Sequence, residues 1–180
     1  MNSFRLFFSI FAVIGSLFAC NQAKESKDSA IADSTTVQPV ALIPVELKDS
    51  LNAKVYNHYI QLKDLLVASD STKAKTAASD LAIALGKLNG FDSTVVLVGK
   101  ITNSKDLSEQ RINFTALSND MINLVKKSEI ASGSIYVQYC PMANEGKGGY
   151  WLSSQEEIMN PYYGDDMLHC GEVKETIAKN

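Results

Sequence analysis

Residues 106–127 read DLSEQRINFTALSNDMINLVKK, and this stretch decides the fold. Asp106-Leu107-Ser108-Glu109 has the form of a capping box, in which a short polar side chain and a glutamate three residues later satisfy free N–H groups in a helix's first turn. Leu107, Phe114, Leu117, Met121, Leu124 and Val125 then hold the helical period, and Lys126-Lys127 put positive charge where the helix dipole is negative. A helix with one apolar stripe has to bury it against neighbours.

The neighbours lie upstream. Leu51, Val55, Tyr59, Leu62 and Leu66 recur at helical spacing, with Asp49 or Ser50 placed to cap, which predicts a first helix to about Ala68. Ser71 is placed to cap a second helix whose face is Ala74, Ala77, Ala78, Leu81, Ala84, Leu85 and Leu88, stopping at Asn89-Gly90. The small alanines let another helix approach closely. Thr94-Val95-Val96-Leu97-Val98 is β-branched, but no partner strand is near it in the chain, and it reads as a third helix. Four helices joined by short loops predict a mainly α fold, an up-and-down four-helix bundle.

Downstream the composition changes. Tyr136, Tyr139, Tyr150, Trp151, Tyr162 and Tyr163 are most of the chain's Tyr and Trp residues. Residues 135–139 alternate like a strand, 144–149 are rich in glycine, 150–152 return as a second strand, and Asn160-Pro161 opens another turn. Residues 134–171 therefore predict a small, aromatic-rich β-hairpin and loop appendage to the bundle. Its aromatic cluster reads as the core of a unit short of aliphatic residues.

The N-terminus carries Arg5, the apolar run from Leu6 to Ile14, and Leu17-Phe18-Ala19-Cys20. The run is too short to span a bilayer, and the polar stretch from Asn21 begins at once. Residues 1–19 read as a signal peptide and Cys20 as the lipid-acceptor cysteine of a bacterial lipoprotein. Residues 20–46, rich in Ser, Asp, Lys and Thr with Pro39 and Pro44, read as a lipidated N-terminus and flexible tether, and 47–177 as the folded domain. The expected location is the cell envelope, lipid-anchored and facing the periplasm or the cell surface. A net charge of −3 with no basic block leaves nothing to neutralise phosphates, so nucleic acid is not an expected partner.

With Cys20 acylated, Cys140 and Cys170 remain, in a compartment where thiols pair or are held by a ligand. Cys140-Pro141-Met142 and Met167-Leu168-His169-Cys170 bring two thiols, two thioethers and an imidazole together. Sulfur donors favour a polarisable d¹⁰ ion, Cu(I), whereas zinc calls for more Cys or His at shorter spacing. The same cysteines equally suit a disulfide that staples the appendage, with the methionines as filler. A Cys-His hydrolase would need a nucleophile elbow and an acidic orienter, which Cys140 and His169 lack, so no catalytic role is expected.

The run from Val137 to Asn144, with Lys147-Gly148-Gly149-Tyr150-Trp151-Leu152-Ser153, Asn160-Pro161-Tyr162-Tyr163-Gly164, Met167-Leu168 and Cys170-Gly171-Glu172-Val173, resembles the domain of unknown function 3347 family. The likeness extends upstream to residues 62–70 and to Gln110-Arg111, Phe114, Leu117 and Ser118. Members of that family occur as lipoproteins and fused to CusB-type heavy-metal efflux adaptors, which implies a link to copper or related cations. Cys140-Pro141-Met142 is also similar to the start of the short heavy-metal-binding domain of such adaptors. Carried over, the resemblance implies Cys140, Met142, Met167 and Cys170 as ligands. Tyr139 and Trp151 are expected to shield such a site from water. His169 is a further candidate on local chemistry alone. The expected function is soft-metal binding, Cu(I) foremost, as a buffer or delivery module linked to efflux. The alternative is a Cys140–Cys170-stapled, non-catalytic interaction domain contacting an adaptor or another envelope protein.

Overall fold

The computed structural model describes residues 44–179. The signal-peptide segment 1–19, the lipid acceptor Cys20 and most of the tether lie outside the described residues. The order is β1 (Glu46–Leu47), α1 (Ser50–Val67), α2 (Ser71–Leu85), α3 (Asp92–Asn103), α4 (Leu107–Lys126), β2 (Ile130–Ser132), β3 (Ser134–Cys140), β4 (Gly149–Ser153) and β5 (Glu172–Ala178). The chain is thus mainly helical with a small β region at its C-terminal end. None of the described helices is long and apolar enough to cross a membrane.

Three of the four long helices, α1, α2 and α4, begin at a capping aspartate. Asp49 accepts from the Asn52 N–H at 2.7 Å, Asp70 from Lys73 at 2.9 Å and Asp106 from Glu109 at 2.9 Å. The second helix is therefore capped by Asp70 rather than Ser71. It also ends earlier than the Asn89-Gly90 stop, because Gly86 weakens the helix and Lys87 and Leu88 bond three residues back, to Ala84 and Leu85. In α4 the Glu109 carboxylate accepts from the Lys105 N–H, one residue before the cap. The β-branched α3 is a helix because Thr94, Val98 and Ile101 share its buried face, and Thr94 Oγ1 donates to Asp120 of α4 at 2.7 Å.

The helices pack in chain order, α1 on α2, α2 on α3 and α3 on α4, and α1 also meets α4. Leucines and alanines of α1 and α2 interdigitate as the alanine face requires, with Leu62, Leu66, Ala74, Ala78 and Leu81 fully buried.

Two expectations are corrected. The tether does not run to residue 46, since Glu46 and Leu47 pair with Ser132 and Ile130, and Ser132 Oγ donates to the Pro44 carbonyl. Nor is the C-terminal unit a two-stranded hairpin appended to the helices. β3 is the centre of a three-stranded antiparallel sheet, order β4-β3-β5, whose third strand the polar sequence Glu172-Val173-Lys174-Glu175 concealed. β4 packs on α4, and Ile135, Val137, Trp151, Leu152 and Tyr162 belong to the same core as Tyr59, Phe114 and Leu117.

Tyr59 joins the two parts. Its ring stacks on Phe114, with centroids 5.3 Å apart, and its hydroxyl accepts from the Leu152 N–H of β4 at 3.1 Å. Burial holds that hydroxyl far above the ordinary tyrosine range, so it stays protonated while sharing a hydrogen bond with Ser118 Oγ of α4, 2.8 Å away. Tyr59→Phe leaves a buried strand amide and the Ser118 hydroxyl without this partner. It is expected to lower stability by about 1–3 kcal/mol, read as a lower urea midpoint at unchanged slope.

Candidate functional site

Side chains alternate along β3, so Tyr136, Gln138 and Cys140 share one face while Ile135, Val137 and Tyr139 share the other. The register pairs Gln138 with Trp151, which puts the indole on the Cys140 face. Over that face lies the segment between β4 and β5. The buried Gln138 amide anchors its start, with Nε2 at 2.9, 3.0 and 3.1 Å from the carbonyls of Gln155, Glu156 and Glu157. Trp151 meets Tyr162 edge-on at 6.0 Å, and Tyr162 in turn meets Phe114 at 5.9 Å.

Asn160 shapes the loop that delivers the second cysteine. It is fully buried, its Nδ2 donates to the Cys170 carbonyl at 2.8 Å, and its Oδ1 accepts from the Tyr162 N–H at 2.8 Å. Arg111 of α4 fastens the same loop to the end of α1, donating to the carbonyls of Pro161 at 2.9 Å and Leu66 at 3.0 Å and to Ser69 Oγ at 3.0 Å. Gly164 fits beneath this clamp at φ +59°, where a Cβ would stand 2.7 Å from both Ser69 Oγ and the Val67 carbonyl. Gly171, at φ +146°, passes so close to Trp151 that a Cβ would lie 2.9 Å from its ring.

This scaffold brings Cys140 Sγ and Cys170 Sγ to 2.8 Å, with both cysteines free. Cys140, the last residue of β3, is wholly buried, whereas Cys170 is half-buried. The hydrogen bond shared with Cys140, then burial, then that neighbour's charge push the Cys170 thiol up to about 11. Met167 is held one turn before Cys170, whose N–H donates to the Met167 carbonyl at 3.0 Å. Met142 follows two residues after Cys140, and its side chain is half exposed.

Tyr163 is a site residue that sequence reasoning missed as such. Its hydroxyl donates to the Met142 carbonyl at 2.5 Å, and burial followed by the charges of Cys140 and Cys170 raises it above the ordinary tyrosine range. It therefore ties the Cys-Pro-Met turn to the Cys170 loop. The Tyr162-Tyr163 pair in the motif was its only signal.

Two of the candidates, Tyr139 and His169, stand elsewhere, and Trp151 stands where it was expected. Tyr139 does not shield the thiols: as Cys140's strand neighbour it points to the opposite face, where its ring packs on Tyr150 at 4.5 Å and under Lys174 Nζ at 5.4 Å. Trp151 does lie on the Cys140 face, fully buried. His169 is exposed and turns Nδ1 to the Ile158 carbonyl at 3.0 Å. Among the described residues no three His, Cys, Asp or Glu side chains gather, so His169 does not join the two cysteines. Asp165, Asp166, Glu156 and Glu157 are exposed, as a solvated edge would be.

Cys170 reacts as its thiolate. In the reduced chain, Cys170 is expected to alkylate with iodoacetamide roughly tenfold faster per pH unit up to a midpoint near 11. Reading the rate by peptide mass spectrometry in the Cys140→Ala chain should give a lower midpoint, because the shared hydrogen bond is gone.

Residues 55–133 match the family described as protein of unknown function DUF3347, the family that the motifs resemble. The match covers most of α1 through β2 and stops before β3, so Cys140, Met142, Met167 and Cys170 all lie beyond it. No curated protein and no solved structure matches the chain.

Proposed function

Taking residues 55–133 as a DUF3347 domain, we propose that the chain is a non-catalytic, lipid-anchored envelope protein that binds a soft metal ion, Cu(I), as a buffer or delivery module. The single observation that carries the reading is the convergence of two thiols from separate segments, 2.8 Å apart, each with a methionine within one turn of chain. Cys140 and Cys170 would hold the ion as thiolates, with Met142 and Met167 as thioether donors. Such a donor set suits a d¹⁰ ion that prefers sulfur.

The fit asks something of the pair. With metal–sulfur bonds of about 2.3 Å, thiolates sharing one ion stand roughly 3.7 Å apart or more. The sulfurs must open by about 1 Å on that geometry, and Cys170, half-buried on a loop, is the member with room to move. Trp151 and Tyr162 close the site from the core side, which slows exchange and oxidation.

In this reading the helices run up and down as a four-helix bundle that carries the sheet. Cys20 bears the lipid, and the partner is a heavy-metal efflux adaptor or another envelope protein. The Cys-Pro-Met turn, with Met142 exposed, is where such a partner would receive the ion.

Competition of the fully reduced chain against a Cu(I) chelator tests the metal. One-to-one uptake is expected, with Met167→Leu and Met142→Leu each weakening it by on the order of tenfold, about 1.4 kcal/mol. Leu keeps the apolar volume, so folding stability should change by less than about 1.5 kcal/mol. No uptake by a chain with both thiols free would overturn the reading and leave a stapled interaction domain. The anchor has its own test: Cys20→Ser should move the protein from the membrane fraction to the soluble one, and retention at the membrane would remove the lipid from the account.

A further inference from the structure

We propose that Cys140 and Cys170 form a reversible disulfide in a fixed order, Cys170 engaging an external disulfide first and Cys140 closing the bond behind it, and that closure shuts the soft-metal site. The gating half rests on the metal reading above; the order of events does not.

Proximity comes first. A disulfide places its sulfurs about 2.05 Å apart, so two sulfurs at 2.8 Å have less than about 1 Å to travel. Both ends of Cys170 are already held, its N–H by the Met167 carbonyl and its carbonyl by Asn160 Nδ2. Closure is then a side-chain rotation that leaves the loop in place. Tyr163 braces the other segment through the Met142 carbonyl.

Access sets the order. Cys140 is wholly buried at the end of the central strand, with the fully buried Trp151 and Ala143 near it, so an external disulfide meets Cys170 first. Cys170 keeps a solvent-facing side. Its thiolate attacks one sulfur of the oxidant R–S–S–R, forming a Cys170–S–R bond and releasing one RS⁻, which takes up the proton Cys170 lost. Cys140, as thiolate, then attacks Cys170 Sγ and releases the second RS⁻, which is protonated in turn. Two protein thiols become one disulfide, and two electrons pass to the oxidant, which leaves as two thiols. Neither sulfur is then a thiolate, so the site has lost both its charged donors.

The asymmetry is testable with glutathione disulfide as the probe. The intact, reduced chain is incubated with it, quenched in acid and analysed by mass spectrometry, with each variant's fold checked by circular dichroism. Wild type should lose two thiols and retain no glutathione. Cys140→Ala should keep one glutathione on Cys170, and Cys170→Ala should react at least about tenfold more slowly at Cys140 until denaturant exposes it. Should either alanine variant fail to fold, the transient adduct in wild type, mapped by digestion, still has to sit on Cys170. Glutathione on Cys140 in the folded chain, or thiols that stay unpaired, would overturn the order.

Gating is read separately, by Cu(I) competition on the oxidised chain. Loss of uptake on oxidation, restored by reduction, is expected. Equal uptake by oxidised and reduced chains would overturn the gate while leaving the metal reading intact. A reduced chain that closes in the stated order but takes no Cu(I) would sink the metal reading and leave the ordered disulfide standing.

Discussion

The hydroxyl of Tyr59 is the point on which the rest of the structure depends. It sits where α1, α4 and β4 meet, accepting from the Leu152 amide and facing Ser118, while its ring lies flat on Phe114. A polar atom in so dry a place is tolerable because it has partners on both sides. Those partners fix the height of β4 against the helices. From β4 the register sets β3, and from β3 the position of Cys140 follows.

The site is the meeting of two differently built segments. Cys140 is placed by strand pairing, which offers little freedom. Cys170 is placed by a loop whose carbonyls and amides are satisfied by side chains: Asn160 from within, Gln138 from the sheet and Arg111 from α4. Irregular backbone that runs over a core stays ordered only if its polar groups find such partners. The helical half of the chain therefore contributes to the thiol pair through Arg111, although it supplies none of the sulfur.

The two thiols differ in environment, and this difference organises their chemistry. One is enclosed and the other faces solvent on one side. Held within a single hydrogen bond's reach of Cys140, Cys170 resists losing its proton, since ionisation would break that shared bond and set its charge beside the neighbouring sulfur. A cation, or the covalent bond between the sulfurs, relieves that difficulty. The proposed soft-ion site and the proposed closing disulfide both draw on this one geometry.

Local patterning alone determined the helices. Periodicity, the capping aspartates and the alanine face are properties of neighbouring residues, whereas α3 was read as a helix because no partner strand lies near its β-branched run, and the structure adds the buried face of Thr94, Val98 and Ile101. The β3–β4 hairpin was legible from alternation around a glycine-rich turn. What sequence left hidden was long-range. β5 is polar because it lies at an edge, so it shows no apolar alternation, and β1 is too short to show any. The candidate cysteines could be named from their chemistry, but their separation depends on Asn160 and Arg111, residues whose roles arise only from contacts across the fold. Tyr139 shows the limit plainly: adjacent to Cys140 in the chain, it points to the opposite face, because a strand turns each successive side chain to the other side.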